Sequence, residues 1–115
     1  MHVAFSNDGA RSFSEPVDIE SEKPLGRADV LMLEDGRALV SWLDQGSAGD
    51  GHIRVRTVAP DGSLGMSVTL ATTGSGRLSG FPQLARHGDG VLLAWTQIDD
   101  GQTQVKSLLF DKAAR

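Results

Sequence analysis

Ser6-Asn7-Asp8-Gly9-Ala10-Arg11-Ser12-Phe13 has a weaker echo in Ala59-Pro60-Asp61-Gly62-Ser63-Leu64-Gly65-Met66. Asp8 and Asp61 are 53 positions apart, and so are Trp42 and Trp95. Two unrelated landmarks recurring at one spacing mark an internal repeat. Repeats of this length belong to units that stack or radiate and bury their faces against one another.

Working outward from these landmarks, the chain shows short apolar runs separated by glycine–aspartate turns. Residues 30–33 lead through Glu34-Asp35-Gly36-Arg37 into 38–43. A polar loop over 44–51 precedes 52–59, and the Pro60-Asp61-Gly62 turn precedes 66–71. No window keeps apolar residues at helical spacing between caps, so the pattern predicts four strands joined as a meander. The second copy repeats it with 80–86, the turn His87-Gly88-Asp89-Gly90, 91–96, the turn Ile98-Asp99-Asp100-Gly101 and 103–110. A fourth strand is missing there. Residues 2–6 match the end of a third strand and 13–19 match a fourth, so the expected organisation is 1–19, 20–72 and 73–115.

Val30-Leu31-Met32-Leu33 and Val91-Leu92-Leu93-Ala94-Trp95 do not alternate apolar with polar residues. A sheet wet on one face should alternate, so both faces of these strands are expected to be covered. Four-stranded antiparallel units buried on both faces at this period fit the blades of a β-propeller. A two-sheet sandwich explains the strand count but neither the double burial nor the shared spacing. The expected fold is therefore all-β: two antiparallel blades forming part of a ring, or a ring completed by other copies.

Composition excludes several classes. The 115 residues are 39% hydrophobic, enough for one modest core and too apolar for disorder. Eleven basic residues against fifteen acidic ones, with no basic cluster, predict neither a nucleic-acid partner nor binding to an anionic membrane. No apolar run approaches the roughly 20 residues that span a bilayer, and residues 1–5 lack the features of a signal peptide. Cysteine is absent, which removes disulfides, zinc–thiolate sites and thiol nucleophiles.

Ser-x-Asp-x-Gly-x-x-Trp/Phe is the Asp-box of the BNR-repeat, sialidase-like β-propellers. Ser6 to Phe13 resembles it at Ser6, Asp8 and Phe13, with Ala10 in place of a glycine. The echo keeps Asp61 alone of these landmarks. In a tight hairpin the Asp8 carboxylate can accept turn N–H groups that lack other partners, Ser6 can assist, and Phe13 can fold back as an apolar plug. These residues are therefore expected to be structural. Sialidases of this family use an arginine cluster, a tyrosine–glutamate nucleophile pair and an aspartate acid/base. This chain has no tyrosine, so it is not expected to be a sialidase by itself. The resemblance implies a non-catalytic module binding a glycan or a protein. The alternative is the last blades of a glycoside hydrolase whose catalytic residues lie elsewhere. The resemblance also implies secretion or a periplasmic location, and no cofactor.

In such propellers the loops entering the innermost strand and those joining the second and third strands form the functional face. Here they are 20–28, 44–51, 72–80 and 97–102. Arg27 and Arg77 sit before inner strands, where a guanidinium can take a carboxylate bidentately. Asp44, Gln45, Asp50 and Gln97 offer hydrogen bonding suited to sugars, while Trp42 and Trp95 are expected in the core. Gly74-Ser75-Gly76-Arg77-Leu78-Ser79-Gly80 lacks dinucleotide spacing and opens no helix. His2, His52 and His87 lack metal-ligand spacing, and the acidic loops lack calcium-ligand order. Two blades alone expose two apolar faces, so self-association or a missing remainder of the ring is expected. In an assembled ring, 13–19 is expected to pair beside the third strand of the second unit.

Overall fold

The computed structural model describes residues 1–21, 23–74, 80–99 and 101–111. These residues form strands and no helix. The strands are β1 (His2–Val3), β2 (Val17–Asp18), β3 (Pro24–Met32), β4 (Ala38–Gln45), β5 (Gly51–Val58), β6 (Val68–Thr73), β7 (Gly80–His87), β8 (Gly90–Asp99) and β9 (Gln102–Asp111). They form an antiparallel β1–β2 ribbon, a four-stranded sheet β3–β4–β5–β6 and a three-stranded sheet β7–β8–β9. Every neighbour in a sheet is a neighbour in sequence. The turn residues give the reason: Gly36, Gly62 and Gly101 carry φ values of 89°, 94° and 77° at hairpin ends, a region L-residues seldom enter.

The three layers pack in chain order, and β4 shows how. Its residues from Ala38 to Asp44 are all buried, because successive side chains point to opposite faces and both faces are covered. Ala38, Val40 and Trp42 pack with Ile19 and Val58 beneath the ribbon, where Met1, Val3, Phe5 and Val17 close over them. Leu39 points the other way, to Leu33, Val55 and Val91. Leu43 joins Ile53, Leu93 and Trp95 on that same side. The second sheet enters through β7, which lies against β3 and β4. The Asp29 carboxylate accepts the Leu84 N–H at 2.8 Å, and Arg86 donates to the Met32 carbonyl at 2.6 Å.

Three expectations are corrected. Val30 and Met32 of β3 are 54% and 48% exposed, because the ribbon is two pairs long and covers β4 rather than β3. In β8, burial alternates: Val91, Leu93 and Trp95 are buried, while Leu92 and Ala94 are half-buried. No layer among the described residues covers their side of the sheet. Phe13 is 61% exposed and plugs nothing, since residues 4–16 run past the end of the sheet before β2 begins. Within the chain, Val17 and Asp18 pair with Val3 and His2.

The first strand of each sheet carries the same irregularity. β3 shifts register between Gly26 and Asp29, and β7 does so between Gly80 and Gln83. At these bulges Gly26 and Arg27 have φ of 83° and 52°, and Gly80 and Phe81 have 84° and 53°. A bulge re-aims side chains, and a left-handed non-glycine residue costs of the order of 1–3 kcal/mol. The chain adopts this conformation twice, at equivalent places.

The aspartate turns gather at the end opposite these bulges. Asp8 accepts the N–H groups of Arg11 and Ser12, both at 3.0 Å, and the Ser12 hydroxyl at 2.6 Å. Ser6 donates to Asp8 at 2.9 Å and accepts the Ala10 N–H at 2.9 Å. Asp61 accepts the Ser63 N–H at 2.9 Å, and Asp35 accepts the Arg37 N–H at 3.0 Å. These hydrogen bonds favour the ionised carboxylate, with Ser12 the largest cause at Asp8, and hold the three pKa values below the usual 3.8. Because each folded pKa is depressed, the stabilisation is present above the unfolded value and is lost as pH falls through the folded one. On acidification from pH 5 the Arg11 and Ser12 amide resonances should therefore titrate with a midpoint below 3.8. A midpoint at or above that value would contradict the hydrogen-bonded hairpin, and Asp8→Asn should abolish the titration.

Candidate functional site

Strand direction sorts the polar residues. The entries to β3, β5 and β7 and the exits of β4, β6 and β8 share one end of the stack, away from the aspartate turns. Arg27, Asp44, Gln45, Asp50 and Gln97 all lie at this end. Arg77 lies outside the described residues. Among the described residues, two clefts at this end hold the candidate side chains.

The first lies between the two sheets and is lined by Arg27, Ala28, Asp29, Phe81, Pro82 and Gln83, with a volume of about 290 Å³. The bulges build it. The left-handed conformation at both positions turns the Arg27 and Phe81 side chains towards each other, and the guanidinium carbon sits 5.1 Å from the ring centroid. That distance suits a cation–π contact. Arg27 Nη1 is buried and has no hydrogen-bond partner among the described residues. The nearest carboxylate by sequence is occupied: Asp29 accepts the Val30 N–H at 2.9 Å and the Leu84 N–H at 2.8 Å. The aromatic face attracts the cation without neutralising it. The cleft therefore presents a partly desolvated positive charge beside the amide of Gln83.

The second cleft, about 500 Å³, lies between the ribbon exit and the first sheet. Asp44 is buried within it. Ser21 Oγ donates to Asp44 Oδ1 at 2.5 Å and accepts from Trp42 Nε1 at 3.1 Å. Arg54 Nε is 3.4 Å from Asp44 Oδ2, and His52 Nε2 is 3.4 Å from Asp50 Oδ2. Arg56 closes the floor by donating to the Ile19 carbonyl at 2.6 Å and the Gly65 carbonyl at 2.8 Å. Gln45 is exposed at the rim, its N–H bonded to the Lys23 carbonyl at 3.0 Å. A Cβ at Gly46 would meet the Asp50 carboxylate and lie 2.9 Å from His52 Nε2, so a side chain there would have to push this pair aside.

The structure thus brings Asp44, Gln45 and Asp50 to one polar rim and sets Arg27 apart in the inter-sheet cleft. Gln97 joins neither lining; its side-chain oxygen accepts Trp95 Nε1 at 2.9 Å. Both tryptophans are buried. Sequence reasoning missed Ser21, His52, Arg54, Arg56 and Phe81. Parity was the available signal for the three cations of β5. His52, Arg54 and Arg56 alternate with Ile53, Val55 and Thr57, and pair with Asp44, Trp42 and Val40 of β4, so they share the ribbon side with Asp44. Among the described residues no group of histidine, aspartate or glutamate side chains is placed to hold a metal.

No family model matches the sequence, and comparison with curated proteins and with solved structures found no match.

Proposed function

We propose that this chain is a segment of a sialidase-like β-propeller, comprising two consecutive blades and the outer hairpin of a third. In this reading it is a non-catalytic module that binds a carboxylate-bearing glycan at the Arg27 cleft. The observation that carries the ligand is the Arg27 guanidinium, held against Phe81 with Nη1 buried and unpartnered among the described residues. A guanidinium with a buried nitrogen that has no partner among the described residues favours an anionic guest, and its planar fork suits a carboxylate. The architectural part is supported by equivalent bulges at Gly26 and Gly80, by aspartate turns at one end, and by layers packed in chain order. The absence of tyrosine argues against family hydrolysis within this chain.

Arg27→Gly is the informative variant, because glycine accepts φ of 52° without strain and only the side chain is lost. Titration with sialylated and with desialylated glycans should show binding of the acidic set alone. Arg27→Gly should weaken that binding by about 10–100-fold, as loss of charge-assisted hydrogen bonds does. Equal binding of both sets, or an unchanged affinity in Arg27→Gly with the fold intact by circular dichroism, would overturn the assignment.

A further inference from the structure

Arg27 shares one property with His52 and Arg54: each has a side-chain nitrogen that is buried and makes no hydrogen bond among the described residues. His52 and Arg54 lie together in the cleft between the ribbon exit and the first sheet. They are two residues apart on one face of β5 and stand opposite Asp44 and Trp42 of β4. Asp44 is only 4% exposed. Ser21 donates to its Oδ1, and its Oδ2 lies 3.4 Å from Arg54 Nε. Arg54 Nε nonetheless makes no hydrogen bond. The pair is matched in charge and misaligned in direction, and misalignment forfeits most of a hydrogen bond. His52 repeats the pattern. Its Nε2 lies 3.4 Å from Asp50 Oδ2, while Nδ1 is buried without a partner among the described residues.

Charge narrows what could complete this arrangement. An anion on Arg54 would face the buried Asp44 carboxylate. A cation on Asp44 would face Arg54, with Arg56 in the floor beneath it. A purely apolar guest would leave both buried nitrogens unmet, which is costly. A neutral group that donates to Asp44 Oδ2 and accepts from Arg54 Nε suits the pair, and a hydroxyl does both through one oxygen. A hydroxyl also suits His52 Nδ1 in either tautomer, donating to a bare nitrogen or accepting from an N–H. Two such stations along β5 call for hydroxyls on separate carbons. The cleft volume of about 500 Å³ lies within the usual range of small-molecule sites and far exceeds the roughly 30 Å³ share of one water. The Arg54 and His52 side chains are 34% and 27% exposed, which leaves them room to turn these nitrogens towards a guest entering from solvent.

We infer that the ribbon–sheet cleft is a subsite for a neutral polyhydroxyl guest of monosaccharide size, with one hydroxyl inserted between Asp44 and Arg54 and another set against His52. The inference goes beyond the acidic ligand at Arg27 and does not rest on it, since that cleft lies between the two sheets and this one on the ribbon side. A guest of this size held by a few hydroxyl contacts binds in the millimolar range. The comparison of sialylated with desialylated glycans at Arg27 therefore belongs at about 0.1 mM or below, where this subsite is empty.

Amide correlation spectra of the 115-residue chain test the subsite with two neutral probes, methyl α-mannoside and methyl β-galactoside, each raised to about 100 mM. At least one sugar should shift the Gln45, Gly46 and His52 amides and the Trp42 indole N–H with saturation. Cyclohexanol, with a single hydroxyl, should not saturate them. Arg54→Lys keeps the charge beside Asp44 and removes the Nε donor, so it should weaken binding by about tenfold. His52→Phe keeps a ring of similar size without its nitrogens and should weaken binding in the same direction. A sugar-free Trp42 indole resonance at its wild-type position shows that a variant is folded. Arg27→Gly should leave the sugar affinity unchanged. Absence of a saturable shift from either sugar would assign the cleft to ordered water alone and overturn the inference. Equal saturation by cyclohexanol, wild-type affinity in both cleft variants, or loss of the shifts in Arg27→Gly would also overturn it. A chain that prefers acidic glycans but shows no sugar shifts at this cleft would overturn the subsite and leave the Arg27 reading standing.

Discussion

Trp42→Ala should lower the free energy of unfolding by about 3–5 kcal/mol, the usual cost of emptying a buried tryptophan site. Trp42 is 1% exposed and is the largest fully buried side chain. Its neighbours Ile19 and Val58 come from segments on different layers, so they cannot close the void together. The indole N–H also seats Ser21, which in turn holds Asp44. Domains of this size are stable by about 5–15 kcal/mol, so the variant loses a large share of the whole. The ribbon should respond first, because two residue pairs and the Ile19 N–H bond to the Met1 carbonyl are nearly all its own hydrogen bonding. Urea denaturation gives the total, and hydrogen exchange at Ile19 should accelerate before any amide of β4 or β5 does. A loss below about 1 kcal/mol would show that the ribbon is not seated on Trp42.

The sequence carried the parts of the fold that local chemistry determines. Asp35-Gly36, Asp61-Gly62 and Gly88-Asp89 are turns because their residues tolerate positive φ or supply a hydrogen-bond acceptor. The seven expected strands of the two sheets are present with their ends moved by a few residues. β3 is longer than its apolar run suggests: it begins at Pro24, whereas the run begins at Val30. Its first residues include the Gly26–Arg27 bulge, which interrupts any period-two pattern. Burial was legible only where neighbours lie within the chain. The unalternating run at Val30–Leu33 predicts two covered faces, yet Val30 and Met32 are open because the ribbon reaches only β4. Phe13 fails for the same reason, since a plug needs a strand above it.

The site was legible in its loops and invisible in its contacts. Asp44 and Gln45 stand out as polar residues at a strand end, but the bond from Ser21 to Asp44 spans 23 positions and leaves no local trace. Arg27 was visible as an arginine before an inner strand. Its pairing with Phe81 was not, because it depends on two bulges in different sheets facing each other. Gly26 and Gly80 hinted at this, being set at nearly the repeat spacing, but glycine alone does not announce a left-handed residue after it.

Leu43→Ala should cost about 2–5 kcal/mol, towards the upper part of the range for leucine. Leu43 is fully buried against Ile53 on its own sheet and against Leu93 and Trp95 on the next. It also fills the space above Gly80, where any Cβ would lie 3.1 Å from its Cδ2. Removing its branch empties a site whose walls belong to two sheets. Trp42 and Leu43 are adjacent in sequence and opposite in direction, so their truncations should loosen different layers. Fluorescence can separate them, because Trp42 and Trp95 each sit in one interface. With Trp42→Phe in the background, Trp95 alone reports the contact between sheets. With Trp95→Phe, Trp42 alone reports the ribbon contact. Leu43→Ala should lower the denaturation midpoint seen by Trp95 more than that seen by Trp42. Coincident midpoints would mean that the three layers unfold as one cooperative unit. In that case the loss at Leu43 belongs to the whole stack and not to the joint between its sheets. The layers can then be counted as separate repeats in sequence but not in energy, since a unit of two sheets that unfolds in one step has no internal boundary for Leu43 to guard.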